Sequence, residues 1–288
     1  MKLFNKSINL SVSLAALLCA QASFADGTVS GTVVSNTATL SYSVGGAVQS
    51  DITSEVADFK VDQKVDLSVT GDSGTNIVVG PSSARSANKL TYVLSNDGNS
   101  VQDFKIALSH LTTGDDFDAG TAPATAAPQA AEECQFTIDG GAPNALSATP
   151  IITLAIDAKA TIEVNCSMPN RPDVEDGHES TLDVLATAVD ASGNTMVESN
   201  IADREDEVDI VLADVTGTAT DGGDRNAMHS ATQTYEINAP MLSVVKTSEV
   251  ISDPYNLTSD PKRIPGAVVE YTITIKNTSD SEATGVKI

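Results

Sequence analysis

Three acidic clusters, three histidines and a few cysteines are the residues of this 288-residue chain whose types could carry chemistry. The carboxylates group as Asp115, Asp116 and Asp118, then Asp203, Glu205, Asp206, Glu207 and Asp209, then Asp221 and Asp224. Each group offers the oxygen ligands that Ca²⁺ takes. None has the spacing of an EF-hand loop or of a glycine-rich calcium repeat. Solvated acidic loops are the simpler reading, since blocks of like charge usually face water. If calcium is a cofactor, Asp221 and Asp224 are the ligands to expect, because Gly222 and Gly223 let the chain fold two carboxylates together.

Catalysis finds little support. His110, His178 and His229 stand apart in the sequence, and no nucleophile elbow, zinc-protease helix or phosphate-binding glycine loop accompanies them. The chain is therefore read as non-enzymatic. Trp is absent and Tyr numbers only 5, too few for the aromatic platforms that bind sugars. Tyr42, Tyr92, Tyr235 and Tyr271 share parity with apolar neighbours, which predicts core positions. One covalent alternative is an intramolecular Lys246–Asn277 crosslink with Glu270 beside it. The outward parity of Glu270 and the rarity of fully buried lysine weigh against it.

The cysteines depend on the N-terminus. Lys2 and Lys6 precede a short apolar run, and Ser23 and Ala25 supply the small residues of a cleavage site, so residues 1–25 read as an export signal. The apolar run is too short to span a bilayer, and no membrane span is expected in the mature chain. Cleavage after Ala25 removes Cys19 and leaves Cys134 and Cys166. An even pair in an oxidising compartment predicts a disulfide. Closing that loop contributes roughly 3–4 kcal/mol by chain-entropy reasoning. Cleavage also removes two lysines from 16 basic residues against 39 acidic ones, leaving a net charge of −25. Nucleic acid is excluded as a partner by that sign.

The elements that position these residues are strands. Residues 26–62 form a hairpin segment in which Ala38, Leu40, Tyr42 and Val44 alternate up to a Gly45-Gly46 turn, with a parity change near Val56 that predicts a bulge. Residues 63–239 carry Val65, Leu67 and Val69 and then strands at 90–95, 101–109, 134–138, 151–156, 160–166, 182–189, 208–212 and 232–237. Turn residues separate them and no amphipathic helix intervenes, which indicates an immunoglobulin-like β-sandwich. The stretches 119–131 and 214–230 read as surface loops.

An internal repeat follows. Leu67-Ser68-Val69 matches Leu242-Ser243-Val244, and the strand ending at Asn96 matches the one ending at Asn277. Residues 240–288 thus read as the start of a second immunoglobulin-like repeat. At 48 residues from Met241, it is left incomplete against the ~100 residues of a full sandwich. The segment from Met241 to Ser248, with that from Ile264 to Thr278, resembles the bacterial conserved-repeat surface domain, the eleventh catalogued domain of unknown function. The run from Ser35 to Tyr42 resembles the hairpin that often precedes it. That resemblance implies an immunoglobulin-like fold, export and a place in cell-surface or extracellular structures, with no established catalysis. The expected protein is a secreted, acidic structural or adhesive chain whose partners are other surface proteins or copies of itself. A calcium-dependent module binding polysaccharide or protein is the alternative.

Overall fold

The computed structural model describes residues 27–72, 76–81, 83–111, 114–120, 134–169, 174–200, 204–218 and 220–288. The expected leader at 1–25, Asp203 and most of the expected loop at 119–131 lie outside the described residues. Among the described residues no helix is long and apolar enough to cross a membrane.

Ten strands form the sandwich: β1 (Leu67–Gly71), β2 (Ile77–Val79), β3 (Lys89–Asn96), β4 (Gln102–His110), β5 (Gln135–Ile138), β6 (Asn144–Ala145), β7 (Ile151–Leu154), β8 (Lys159–Asn165), β9 (Glu179–Val189) and β10 (Met228–Ile237). One sheet has the order β6-β5-β8-β3-β1 and the other β7-β4-β9-β10-β2. Neighbours are antiparallel, except that β2 runs parallel to β10. The opening segment therefore splits, giving β1 to one sheet and β2 to the other. Two packed, almost wholly antiparallel five-stranded sheets, with no α-helix between their strands among the described residues, make the immunoglobulin-like β-sandwich.

Alternation builds the interior. Leu90, Tyr92 and Leu94 of β3 and Ala160, Ile162 and Val164 of β8 are buried on one sheet. Phe104 and Ile106 of β4 and Leu182, Val184 and Ala186 of β9 are buried on the other. With no Trp and a core of medium-sized side chains, the two large tyrosines matter most. Tyr92 and Tyr235 are both 0% exposed. Tyr92 Oη on one sheet donates to Leu182 O on the other at 2.9 Å. Tyr235 Oη donates in the opposite direction to Val164 O at 3.2 Å. Burial pushes both phenols well above the ordinary tyrosine range, so they remain protonated donors.

β10 adds two further crossings. His229 Nδ1 accepts the amide of Val69 at 3.1 Å, and Gln233 Nε2 donates to Thr91 O. His229, Ala231, Gln233 and Tyr235 are alternate residues, so one face of one strand supplies these links. The expected strand at 232–237 is thus longer than its apolar pattern suggested, because polar side chains occupy inward positions where backbone groups of the facing sheet receive them.

The disulfide is present. Cys134 and Cys166 are bonded with Cα atoms 4.1 Å apart, and both side chains are buried. Gln135 pairs with Asn165, so the bond extends the β5–β8 ladder by one position within a single sheet. It locks two neighbouring strands together, whereas the tyrosines join the sheets.

Two ribbons flank the sandwich in sequence. The first runs out from Val33–Asn36 and back to Ala57–Lys60, through the pairs Thr39–Leu40 with Ile52–Thr53 and Ser43–Val44 with Ala47–Val48. Gly45 and Gly46, with φ of 60° and 87°, turn its tip. The register slips between Asn36↔Ala57 and Thr39↔Thr53, where the parity change near Val56 predicted a bulge. Asn99 ties its base to the sandwich, donating to Thr28 O and Asp62 O and accepting from the Lys64 amide. The second ribbon pairs β11 (Leu242–Ser252) with β12 (Val268–Asn277) and hydrogen-bonds to no other strand.

Two tyrosines expected in a core lie instead on these ribbons. Tyr42 is 41% and Tyr271 61% exposed, because neither ribbon has a second sheet over its apolar residues. Removing the hydroxyls from the two buried tyrosines tests the link between the sheets. Tyr92→Phe and Tyr235→Phe should each lower the unfolding free energy by about 1–2 kcal/mol in urea titrations. A change below ~0.3 kcal/mol in both would show that the hydroxyls do not hold the sandwich.

Candidate functional site

The densest polar cluster lies on the outer face of β9 and β10, beneath the segment 214–227. This stretch reads as a surface loop in the sequence. It is a surface loop as far as the start of β10, with residues 215–217, 220, 222, 224 and 225 exposed, and it is anchored by Asp214 and Asp221, each 1% exposed. Gly217 makes the close approach feasible, since a Cβ there would sit 2.1 Å from Ser230 O and 2.5 Å from His229 Cε1. Asp183 faces outward from β9 into the same patch and accepts from Thr218 Oγ1 at 3.2 Å and Thr220 Oγ1 at 2.9 Å. Ser230 Oγ completes the group, hydrogen-bonded to Thr218 and Thr220. Burial pushes the Asp183 carboxyl above its ordinary range, and the two threonine hydroxyls partly offset that.

The two carboxylates singled out for calcium belong to this segment, but each is occupied by the chain itself. Asp221 Oδ2 accepts the amides of Gly217 at 2.6 Å and Thr218 at 3.2 Å, and its Oδ1 accepts Gly223 N at 3.2 Å. Asp224 Oδ1 accepts both the amide and the hydroxyl of Thr216 at 2.6 Å. Those bonds hold the Asp224 carboxyl below the usual carboxylate range. Asp214 in turn accepts the amides of Asn226 and Ala227. The acidic residues thus accept backbone N–H groups of the loop, from the exposed Thr216 amide to the buried Ala227 amide. Among the described residues no group of three or more His, Cys, Asp or Glu is arranged to hold a metal ion.

The remaining sequence candidates are dispersed. Asp115 and Asp116 accept the amides of Thr181 and Glu179, and Arg204 pairs with Glu207 and Asp209. His229 is taken up by the Val69 amide, as described above, and His178 Nδ1 accepts the Glu175 amide at 3.2 Å. His110 Nδ1 lies 3.8 Å from an Asp118 carboxylate oxygen, and burial lowers the affinity of this imidazole for a proton. The structure does not bring Lys246 and Asn277 together. Lys246 is opposite Ile273 and Asn277 opposite Leu242, four residues away along the ribbon. Lys246 Nζ sits 4.6 Å over the Tyr271 ring, and the Asn277 side chain closes its own turn by donating to Ser281 O at 2.6 Å. Glu270 is opposite Glu249.

The exposed apolar surface is concentrated on the two ribbons. On the first, Leu40, Tyr42, Val44, Val48, Ile52 and Phe59 are 41–81% exposed. On the second, Leu242, Val244, Ile273 and Ile275 join Val286 and Ile288 around a groove of about 380 Å³. Among the described residues, these apolar side chains are gathered on paired strands whose outer edges carry no further strand. The sequence signal was there, as alternation at 38–44 in the first ribbon and strict alternation at 271–276 in the second. Alternation reports which side chains share a face and does not say whether a second sheet covers that face.

No protein-family model matches the chain, and no curated protein matches it. Among solved structures, it is similar to a family 123 glycoside hydrolase from Clostridium perfringens, at 6% identity and a TM-score of 0.28, over 57% of this chain and 22% of the hydrolase. It is also similar to the PapD-like domain 7 of human CEP192, at 8% identity and a TM-score of 0.25, over 59% of this chain and 82% of that domain. A third similarity is to a chain of a chaperone–tip adhesin complex of CFA/I fimbriae, at 9% identity and a TM-score of 0.27, over 73% of this chain and 87% of that one. Likeness at these scores carries no functional argument.

The capping role of Asp221 predicts a structural phenotype. Asp221→Ala should lower the unfolding free energy by about 1–2 kcal/mol, because three partly buried amides lose their acceptor. Millimolar Ca²⁺ should leave the melting temperature of the unmutated chain within ~1 °C, whereas a calcium-dependent rise of several degrees would mean that these carboxylates turn outward to a ligand.

Proposed function

We propose that this chain is an exported, non-enzymatic structural or adhesive protein of the bacterial surface, acting through β-strand surfaces on other surface proteins or on copies of itself. The observation that carries this reading is the division of the molecule. A closed sandwich with a fully packed core stands between two ribbons whose apolar residues are open to solvent. Ribbons of this kind offer unpaired backbone edges and apolar side chains to another polypeptide, the mode by which a peptide or a neighbour adds strands to a sheet.

Three further features support it. The disulfide between Cys134 and Cys166 suits an oxidising compartment. The leader pattern at residues 1–25 provides a route there. The resemblance of Met241 to Ser248 and of Ile264 to Thr278 to the conserved-repeat surface domain supports a role in extracellular structures. The reading calls on no cofactor. The large excess of acidic residues keeps the sandwich soluble and repels other acidic surfaces except where apolar contact outweighs the charge.

Expression of the full chain in a bacterium with active export tests this directly. The expected product begins at Asp26, carries an oxidised Cys134–Cys166 pair, and is labelled on intact cells by a membrane-impermeant reagent. A chain that keeps its first 25 residues and two free thiols in the cytoplasm contradicts the reading.

A further inference from the structure

The β11–β12 ribbon repeats the opening strand pair of the sandwich residue for residue. In the sandwich Leu67 pairs with Asn96, Val69 with Leu94 and Gly71 with Tyr92. In the ribbon Leu242 pairs with Asn277, Val244 with Ile275 and Lys246 with Ile273. The turn after each second strand is also the same. Asn96 Nδ2 donates to Ser100 O and its Oδ1 accepts the Gly98 amide, while Asn277 Nδ2 donates to Ser281 O and its Oδ1 accepts the Ser279 amide. One backbone bond recurs beside it, Asp97 N to Asp66 O and Thr278 N to Met241 O.

That equivalence identifies the exposed side chains as a core face. Leu67, Val69, Tyr92 and Leu94 are all buried by the facing sheet. Their counterparts are Leu242, Val244, Ile273 and Ile275, which line the open groove. A face with this pattern is completed by apolar β-structure laid across it.

Charge then selects what lies there. The charged residues lining the groove are Lys246 and Lys287. Two copies of the groove face to face would set lysine against lysine, a juxtaposition that interfaces avoid. The first ribbon is the complement. It is apolar and exposed, and over residues 33–60 it carries Asp51, Glu55 and Asp58 against a single basic residue, Lys60, at its base, whose ammonium donates to Asp206 O. Charge elsewhere disfavours side-by-side contact: residues 240–288 hold five basic and six acidic side chains, while residues 26–239 hold nine and 33.

We propose that the groove of the β11–β12 ribbon takes the N-terminal ribbon, residues 33–60, of a second copy of this chain. This rests on the reading of the protein as one that associates through its β surfaces, and it names the two surfaces. The contact is heterologous, each copy keeping one free ribbon and one free groove, so repetition gives a head-to-tail chain.

Sedimentation velocity of the chain from Asp26 to Ile288 tests it, at low salt from about 1 to 100 μM, the range in which a modest interface is populated. The weight-average sedimentation coefficient should rise with concentration past the value for a dimer. Val44→Asp on the ribbon and Val244→Asp in the groove should each abolish the rise. Both positions are exposed, so an unchanged melting temperature of the sandwich confirms folding. Mixing the two variants should restore a dimer and nothing larger, since one retains a groove and the other a ribbon. A monomer at every concentration, or association unaffected by Val44→Asp, overturns the proposal. If that monomer is still exported and labelled on intact cells, the surface reading stands and only the pairing of ribbon with groove fails.

Discussion

Tyr92 and Tyr235 span the same interior in opposite directions, each ending on a backbone carbonyl of the sheet it faces. The rest of the sandwich depends on this exchange. A core made largely of Val, Leu, Ile and Ala buries apolar area without fixing how two sheets slide over one another, because dispersion contacts have little direction. Hydrogen bonds do have direction. With His229 and Gln233 beside Tyr235, one face of β10 meets the opposite sheet at several backbone groups and sets its position. The disulfide acts at right angles to this, joining β5 to β8 within one sheet.

The same rule, that buried polar groups need partners, governs the outer face. In the loop before β10, Asp214 and Asp221 turn inward and accept backbone amides, that of Ala227 buried and those of Gly217 and Asn226 partly so. Carboxylates that look available for a cation in the sequence are thus engaged by backbone N–H groups. Asp253 does the same in the loop of the β11–β12 ribbon. Backbone amides led by that of Asn256 hold its carboxyl down to about 2. The stabilisation from this carboxylate is complete above the ordinary aspartate value of 3.8 and is lost as pH falls from there through about 2.

Strand positions were legible because their residues alternate. The expected strands at 90–95, 101–109 and 160–166 agree with β3, β4 and β8 to within a residue at each end. The cysteine pair was legible from number and compartment, and the N-terminal hairpin from Gly45-Gly46. What alternation does not encode is tertiary cover. It assigned Tyr92 and Tyr235 to a core correctly and Tyr42 and Tyr271 incorrectly, since all four have the same local pattern. It also shortened β10, whose inward positions include His229 and Gln233, polar residues that serve the facing backbone. The loop before β10 was legible as a surface loop, but its buried anchors Asp214 and Asp221 were not. Charge in a sequence suggests solvent, and nothing local tells that Gly217 lets the backbone pass against Ser230.

One sheet pair is closed and two ribbons are open, and the second ribbon is built on the register of the closed pair. The proposed pairing has the open ribbons cover each other between copies. Amide hydrogen exchange across a dilution series measures this most directly. Exchange should slow with concentration at residues 38–53 and along Leu242–Ser252 and Val268–Asn277 together, while the sandwich strands stay equally protected throughout. Fast exchange in both ribbons at every concentration would contradict the account.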